Sequence, residues 1–230
     1  MNKKFLIIIP IVIILIGGLI FAGVKIFQNK KEFTGTTTTA KNGDNKTNNK
    51  IKEDNVKEEE KSMYSTGLHH ATIEVKNYGT IKLELDADTA PITVANFAKL
   101  VNEGFYNGLT FHRIMDGFMI QGGDPLGNGT GGSSERIKGE FKLNGVKNNI
   151  GHVRGVISMA RSSAYNSASS QFFIVHEDSR FLDGQYAGFG KVTEGMEIVD
   201  KICEDTPVVD DNGTVLKNNQ PIIEKVTMID

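Results

Sequence analysis

The chain has 230 residues, with 26 Lys plus Arg against 28 Asp plus Glu and a formal net charge of −2. Residues 1–65 carry 11 Lys against 7 acids and the remainder 15 basic against 21 acidic residues, so the bulk of the chain is mildly acidic, with no clustered basic stripe to attract a nucleic acid. A single cysteine, Cys203, excludes an intramolecular disulfide and CxxC chemistry; its place in an apolar helical pattern (Met196, Val199, Ile202, Cys203) reads as a small buried residue.

After a short tail (1–4), residues 5–24 read FLIIIPIVIILIGGLIFAGV, 20 residues without a charge, which matches the ~20 that cross a bilayer core as a helix. The run exceeds the ~7–15 apolar residues of a cleaved secretory signal and ends without an A-x-A pattern, so an uncleaved, single-pass membrane anchor is expected. Pro10 and Gly17-Gly18 are tolerated in lipid. Lys3 and Lys4 flank one end and Lys25, Lys30 and Lys31 the other, so charge does not decide the orientation. The short tail favours a cytoplasmic N-terminus and a folded domain outside the cytoplasm. Residues 25–67, rich in Lys, Asn, Thr and Glu, hold too few large apolar side chains to offset ordering entropy and are expected to be a disordered tether.

One folded domain, 68–230, remains. Ala71 to Val75 and Thr80 to Leu85 alternate around a turn at Asn77-Tyr78-Gly79, which predicts an antiparallel hairpin. A helix follows, opened by Thr89 with Pro91 in its first turn; Val94, Phe97, Ala98 and Val101 form its apolar stripe and Gly104 ends it. Short apolar runs at Thr110 to Ile114, Phe118 to Gln121, Val156 to Ala160, Gln171 to Val175 and Gly188 to Val192 predict strands. A second helix over Met196 to Glu204 and a last strand over Ile222 to Met228 complete the domain. Many short strands, glycine-rich turns and only two helices predict a closed antiparallel barrel, mainly β.

Several patterns that invite a function fail on context. Gly127 to Gly132 is glycine-rich, but no Lys-Ser/Thr pair follows it as a phosphate loop requires. His69, His70, His112, His152 and His176 show no metal-ligand spacing, and His69-His70 reads as an exposed lead-in, so no metal is expected. The serines from Ser162 to Ser170 lack a GxSxG or SxxK elbow and read as a loop.

Three segments carry the chemistry. They are Phe111-His112-Arg113-Ile114 with Gly117-Phe118-Met119-Ile120-Gln121-Gly122-Gly123-Asp124, then Ser158-Met159-Ala160-Arg161, then Ser170-Gln171-Phe172-Phe173-Ile174 leading to Phe181-Leu182-Asp183-Gly184. Together they resemble the cyclophilin signature, and the resemblance spans roughly His70 to Asp230. It implies an eight-stranded barrel capped by two helices and a peptidyl-prolyl cis/trans isomerase without a cofactor. Its partners would be proline-containing polypeptide clients, reached at a membrane surface through the N-terminal helix.

The resemblance also implies roles. Arg113, Phe118 and Gln121 match the catalytic positions, with Gln121 orienting Arg113. Met119, Phe173, Leu182 and Phe118 match the apolar pocket for the proline ring. Gly129, Ala160, Arg161 and Gln171 match the groove for the residues before proline, and Phe181 and Tyr186 complete the substrate wall. Taken singly, Arg113 reads as a surface ion pair and the phenylalanines as barrel core; by alternation one of Phe172 and Phe173 faces inward, and Phe172 is favoured. Phe181 replaces a tryptophan found in many relatives, Tyr186 a histidine, and Arg161 and Ser162 an asparagine and an alanine. Cyclosporin, which the family binds, is therefore expected to bind with reduced affinity. A proline-peptide binding module or holdase without turnover is the alternative, and retention of Arg113 speaks against it.

Overall fold

The computed structural model describes residues 63–230; the expected anchor and most of the expected tether lie outside the described residues. Among the described residues no helix is long and apolar enough to cross a membrane. The folded part begins a few residues earlier than expected. Met63–Ser65 form a 3-10 turn, Tyr64 packs against the core with its ring edge-on to His69 at 5.0 Å, and the Gly67 N–H donates to Asp88 Oδ1.

Alternation in the sequence gives the expected hairpin: β1 (Leu68–Val75) and β2 (Gly79–Asp86) pair from Leu68↔Asp86 to Val75↔Gly79. Its turn takes positive φ at Asn77 and Gly79, two residue types that tolerate it. His69 and His70 are strand residues rather than a lead-in, and His70 Nδ1 meets Asp230 Oδ2 at 2.7 Å. Helix α1 (Pro91–Asn102) buries Val94, Phe97, Ala98 and Val101, the expected stripe, and Gly104 at φ 69° ends it. Its start differs from the expectation. Thr89 donates its N–H and hydroxyl to Asp86, and the helix N-terminus is held from a distance by Glu140, which accepts from the N–H groups of Ile92 and Thr93 and the Thr93 hydroxyl.

The remaining strands are β3 (Phe111–Met115), β4 (Met119–Gly122), β5 (Val156–Met159), β6 (Phe172–Val175), β7 (Gly188–Glu194) and β8 (Ile223–Met228), with helix α2 (Met196–Asp205) between the last two. All eight strands join one antiparallel sheet in the order β3-β4-β6-β5-β7-β2-β1-β8. The expected full closure is corrected to a half-barrel. The end strands β3 and β8 share no ladder and meet only at the Thr110↔Ile222 bridge, flanked by bonds from Phe111 N–H to Pro221 O and Ile223 N–H to Leu109 O. Past that point residues 213–215 occupy the outer edge of β3: Ile114 N–H donates to Gly213 O and Val215 N–H to His112 O. An edge already paired has no groups left for β8.

Phe97, Tyr106, Phe111, Phe172 and Phe189 fill the concave side with rings 5.2–6.2 Å apart. Such edge-on and tilted contacts contribute beyond the apolar area they bury. Burial pushes the Tyr106 hydroxyl far above its ordinary range, so it stays protonated and donates to Ser170 O. Cys203 is buried on α2, its thiol pushed up to about 12 chiefly by that burial, as its sequence context predicts for a packing residue.

Candidate active site

Strands β4, β5 and β6 are buried along their whole length, because the main core covers one face and a second, smaller cluster the other. Period-2 alternation therefore sorts their side chains between two environments. Ile120, Phe172 and Ile174 face the main core, whereas Met119, Phe173 and Val175 face the second cluster, so Phe172 is the inward one of its pair.

A regular β3 would turn Arg113 to the same side as Phe111, into the core. The register slips between Phe111, opposite Gly122, and Arg113, opposite Gln121, leaving His112 as the additional residue. This bulge re-aims the arginine. Arg113, Gln121, Phe173 and Ser158 then stand opposite one another in a single row across β3, β4, β6 and β5.

Arg113 is only 8% exposed and makes no ion pair among the described residues. Its Nε donates to Asn212 O at 2.7 Å and Nη1 to Gln121 Oε1 at 3.3 Å. The other contacts, Nη2 to Met115 Sδ and Nη1 to Met119 Sδ, are to thioethers, which are weak acceptors. Burial lowers its pKa from the ordinary arginine range, opposed by Tyr186 and Asp210, yet a guanidinium remains cationic. Gln121 in turn donates to Gln171 Oε1 at 2.8 Å, and Gln171 Nε2 donates to the carbonyls of Gly129 and Gly131.

A cavity opens beside this row. The structure brings Arg113, Phe118, Met119, Gln121, Phe173 and Leu182 into its wall, together with Ala160, Arg161 and Tyr186. Gly129 and Gln171 line an adjoining groove instead, which shares Ala160 and Arg161 with the cavity. Phe181 is in neither wall. It is 65% exposed and leans on Phe118 at the rim, with ring centroids 5.5 Å apart.

Sequence reasoning missed the support behind the cavity. His152 is fully buried, stacks on Phe173 at 6.0 Å, and sits between Asp183 Oδ1 on Nδ1 and Ser158 Oγ on Nε2. Burial holds the ring below the ordinary histidine range, opposed by Asp183. Ser158, His152 and Asp183 have the order of a hydrolytic triad, but Ser158 and His152 are fully buried, so no substrate reaches that hydroxyl. A lone histidine without a spacing pattern gave no signal of this role. The fold also brings Asp116, His176 and Cys203 within 4.8 Å of one another. Both ring nitrogens of His176 are already engaged there, Nδ1 accepting the Gly117 N–H and Nε2 meeting Asp200, so the ring is not presented as a free ligand.

The fold and the row define an antiparallel half-barrel whose candidate site joins a buried arginine to an apolar cavity. Comparison with known proteins names the class further. Residues 70–228 match the family model described as cyclophilin type peptidyl-prolyl cis-trans isomerase/CLD. A Helicobacter pylori peptidyl-prolyl cis-trans isomerase is 47% identical over 154 residues, 66% of this chain and 88% of that protein. Peptidyl-prolyl cis-trans isomerase B of Bacillus subtilis is 47% identical over 137 residues, 60% of this chain and 87% of the relative. Among solved structures, a Cryptosporidium parvum cyclophilin type peptidyl-prolyl cis-trans isomerase crystallised in the presence of the dipeptide Ala-Pro superposes with a TM-score of 0.61. It shares 32% identity and covers 70% of this chain and 99% of its own. The chain belongs to the cyclophilin family and is a peptidyl-prolyl cis-trans isomerase.

Proposed function

We propose that the cavity holds the prolyl ring of a client against Phe118, Met119, Phe173 and Leu182, and that Arg113 catalyses rotation by donating a hydrogen bond to the prolyl nitrogen. Rotation about a peptide bond meets a barrier of ~18–20 kcal/mol because the nitrogen lone pair is delocalised into the carbonyl. Twisting the bond returns that lone pair to the nitrogen, which becomes basic. A donor fixed beside it stabilises the twisted state more than either planar isomer, and that difference lowers the barrier. No bond breaks, so the reaction needs no nucleophile.

The observation that carries this reading is the state of the Arg113 guanidinium. It is buried without a carboxylate to neutralise it, pinned at Nε by Asn212 O, and spends two of its remaining donors on sulfur atoms that a better acceptor displaces. Gln121 fixes Nη1 and is itself fixed by Gln171, so the fork is oriented before substrate arrives. Isomerisation of a short proline peptide, followed by a protease that cleaves only the trans form, tests the activity. A folded chain that bound the peptide without accelerating its isomerisation would be the binding module instead.

The proposal extends to place and partners. The charge-free run 5–24 supports a single-pass anchor; the folded domain is proposed to lie outside the cytoplasm and to act on proline-containing polypeptides at the membrane surface. As a flexible coil the ~40 residues that follow reach about 35 Å, enough to clear the headgroups. The intact protein is then expected in the membrane fraction, and protease outside sealed cells is expected to release the domain by cutting around residues 50–61. Recovery of the full-length chain in the soluble fraction would refute the anchor.

A further inference from the structure

The groove next to the proline cavity carries two cations and no carboxylate in its wall. Arg136 and Arg161 line it together with the hydroxyl-bearing Ser133, Ser162, Ser167 and Ser169. Arg136 is exposed and makes no ion pair or hydrogen bond among the described residues; its neighbour Glu135 turns away to Lys99, at 2.8 Å. Arg161 is fixed rather than free. Its Nε and Nη2 donate to Gln185 O and its Nη1 to Ser162 O, and it stacks on Phe141, Tyr165 and Tyr186 with the guanidinium carbon 4.6–5.1 Å from the ring centroids. All of these partners are neutral, so neither positive charge is cancelled. Asp124, which is not in the groove wall, turns its carboxylate oxygens to the N–H groups of Leu126, Asn128 and Gly129.

Ala160 and Arg161 belong to both walls, so a chain whose proline fills the cavity lays a neighbouring residue into the groove. We infer that this groove selects clients carrying an aspartate or glutamate side chain within the few residues ahead of the proline, with Arg136 as the specificity-determining contact. Arg161 supplies a standing positive field at the junction of the two walls. Arg136, exposed and unpaired among the described residues, meets the carboxylate, and the serine hydroxyls offer it further donors. The inference rests on the cavity being the proline site.

The test uses the full-length chain in nonionic detergent and two families of short proline peptides, with glutamate or glutamine placed one, two or three positions before the proline. For at least one placement the glutamate peptide is expected to show kcat/KM about two- to fivefold above its glutamine partner at low salt, through KM, as suits a partly solvated ion pair. The ratio should fall towards one at about 0.5 M salt. Arg136→Gln should abolish the ratio and Arg136→Glu invert it. A ratio of one or less at every placement, or a preference that survives Arg136→Glu, would overturn the inference. Turnover of the glutamine peptides reports the proline site separately, so losing the preference alone leaves that reading standing, whereas losing turnover of both families removes both.

Discussion

Glu140 accepts two hydrogen bonds from Thr93, at 2.8 Å from the backbone N–H and 2.7 Å from the hydroxyl, across 47 residues of sequence. Helix α1 has no acidic residue in its first turn and no side-chain cap of its own, so this carboxylate is its N-terminal anchor. Glu140 is 2% exposed and Thr93 fully buried, so neither can turn to water instead. Glu140→Ala is expected to cost about 2–3 kcal/mol and lower the melting temperature, with Glu140→Gln recovering part of the loss. An alanine variant that melts with the wild type would show that the helix start is held by packing alone.

Acid should loosen the domain well before its carboxylates titrate. His112 and His152 are both held below the ordinary 6.5, in each case mainly by burial, and both ring nitrogens of His112 lack a hydrogen-bond partner. Where the folded form resists a proton that the unfolded chain accepts, the unfolded state binds more protons, so stability rises with pH and is lost as the solution is acidified. Their contribution is complete above about pH 6.5 and is lost as pH drops towards the lower folded values. Asp210, through the Thr214 N–H, and Asp230, through His70, are held below 3.8, so their losses come in a more acid range. Thermal melting between about pH 7 and 5 should show a decline that a His112→Gln, His152→Gln double variant flattens. An equal slope in both proteins would assign the decline elsewhere.

Cyclosporin sensitivity should be governed at the rim. Phe181 leans on Phe118 at a tilt but offers no hydrogen-bond donor where the resemblance places the tryptophan of many relatives. A drug carbonyl left without its partner costs about 1–3 kcal/mol, or roughly one to two decades of affinity. Phe181→Trp is expected to be inhibited at clearly lower cyclosporin concentration while peptide turnover changes little. Equal inhibition of both forms would shift attention to Tyr186 and Arg161.

The sequence told most about the elements whose pattern is local. Alternation located β1 and β2, and the 3.6-residue stripe located α1, because each reports one face of one element. It was silent where distant segments compete for the same groups. Thr89 looked like the cap of α1, but Asp86 takes its hydroxyl and Glu140 takes the helix, a contact that no local pattern records. The open barrel likewise reflects residues 213–215, which occupy the edge of β3 that closure would need. In the site, Arg113 and Gln121 were legible from their motif, whereas the bulge at His112 that turns Arg113 outward is a matter of register. Arg161 was legible as a groove residue, but not its commitment to Gln185 O; Phe181, expected in the substrate wall, stands at the rim.

The account turns on Arg113 acting as a donor in the transition state, and kcat/KM of a folded Arg113→Ala variant for a proline peptide measures that most directly. Asn212 O loses one donor in this variant and the row of Gln121, Phe173 and Ser158 keeps its ladder, so the fold should survive, as circular dichroism can verify. The expected result is a loss of at least tenfold, equivalent to ~1.4 kcal/mol or more of transition-state stabilisation, appearing mainly in kcat. Arg113→Lys should not restore it, since a lysine keeps the charge without the rigid fork. A folded Arg113→Ala domain that isomerised the peptide at nearly the wild-type rate would contradict the mechanism.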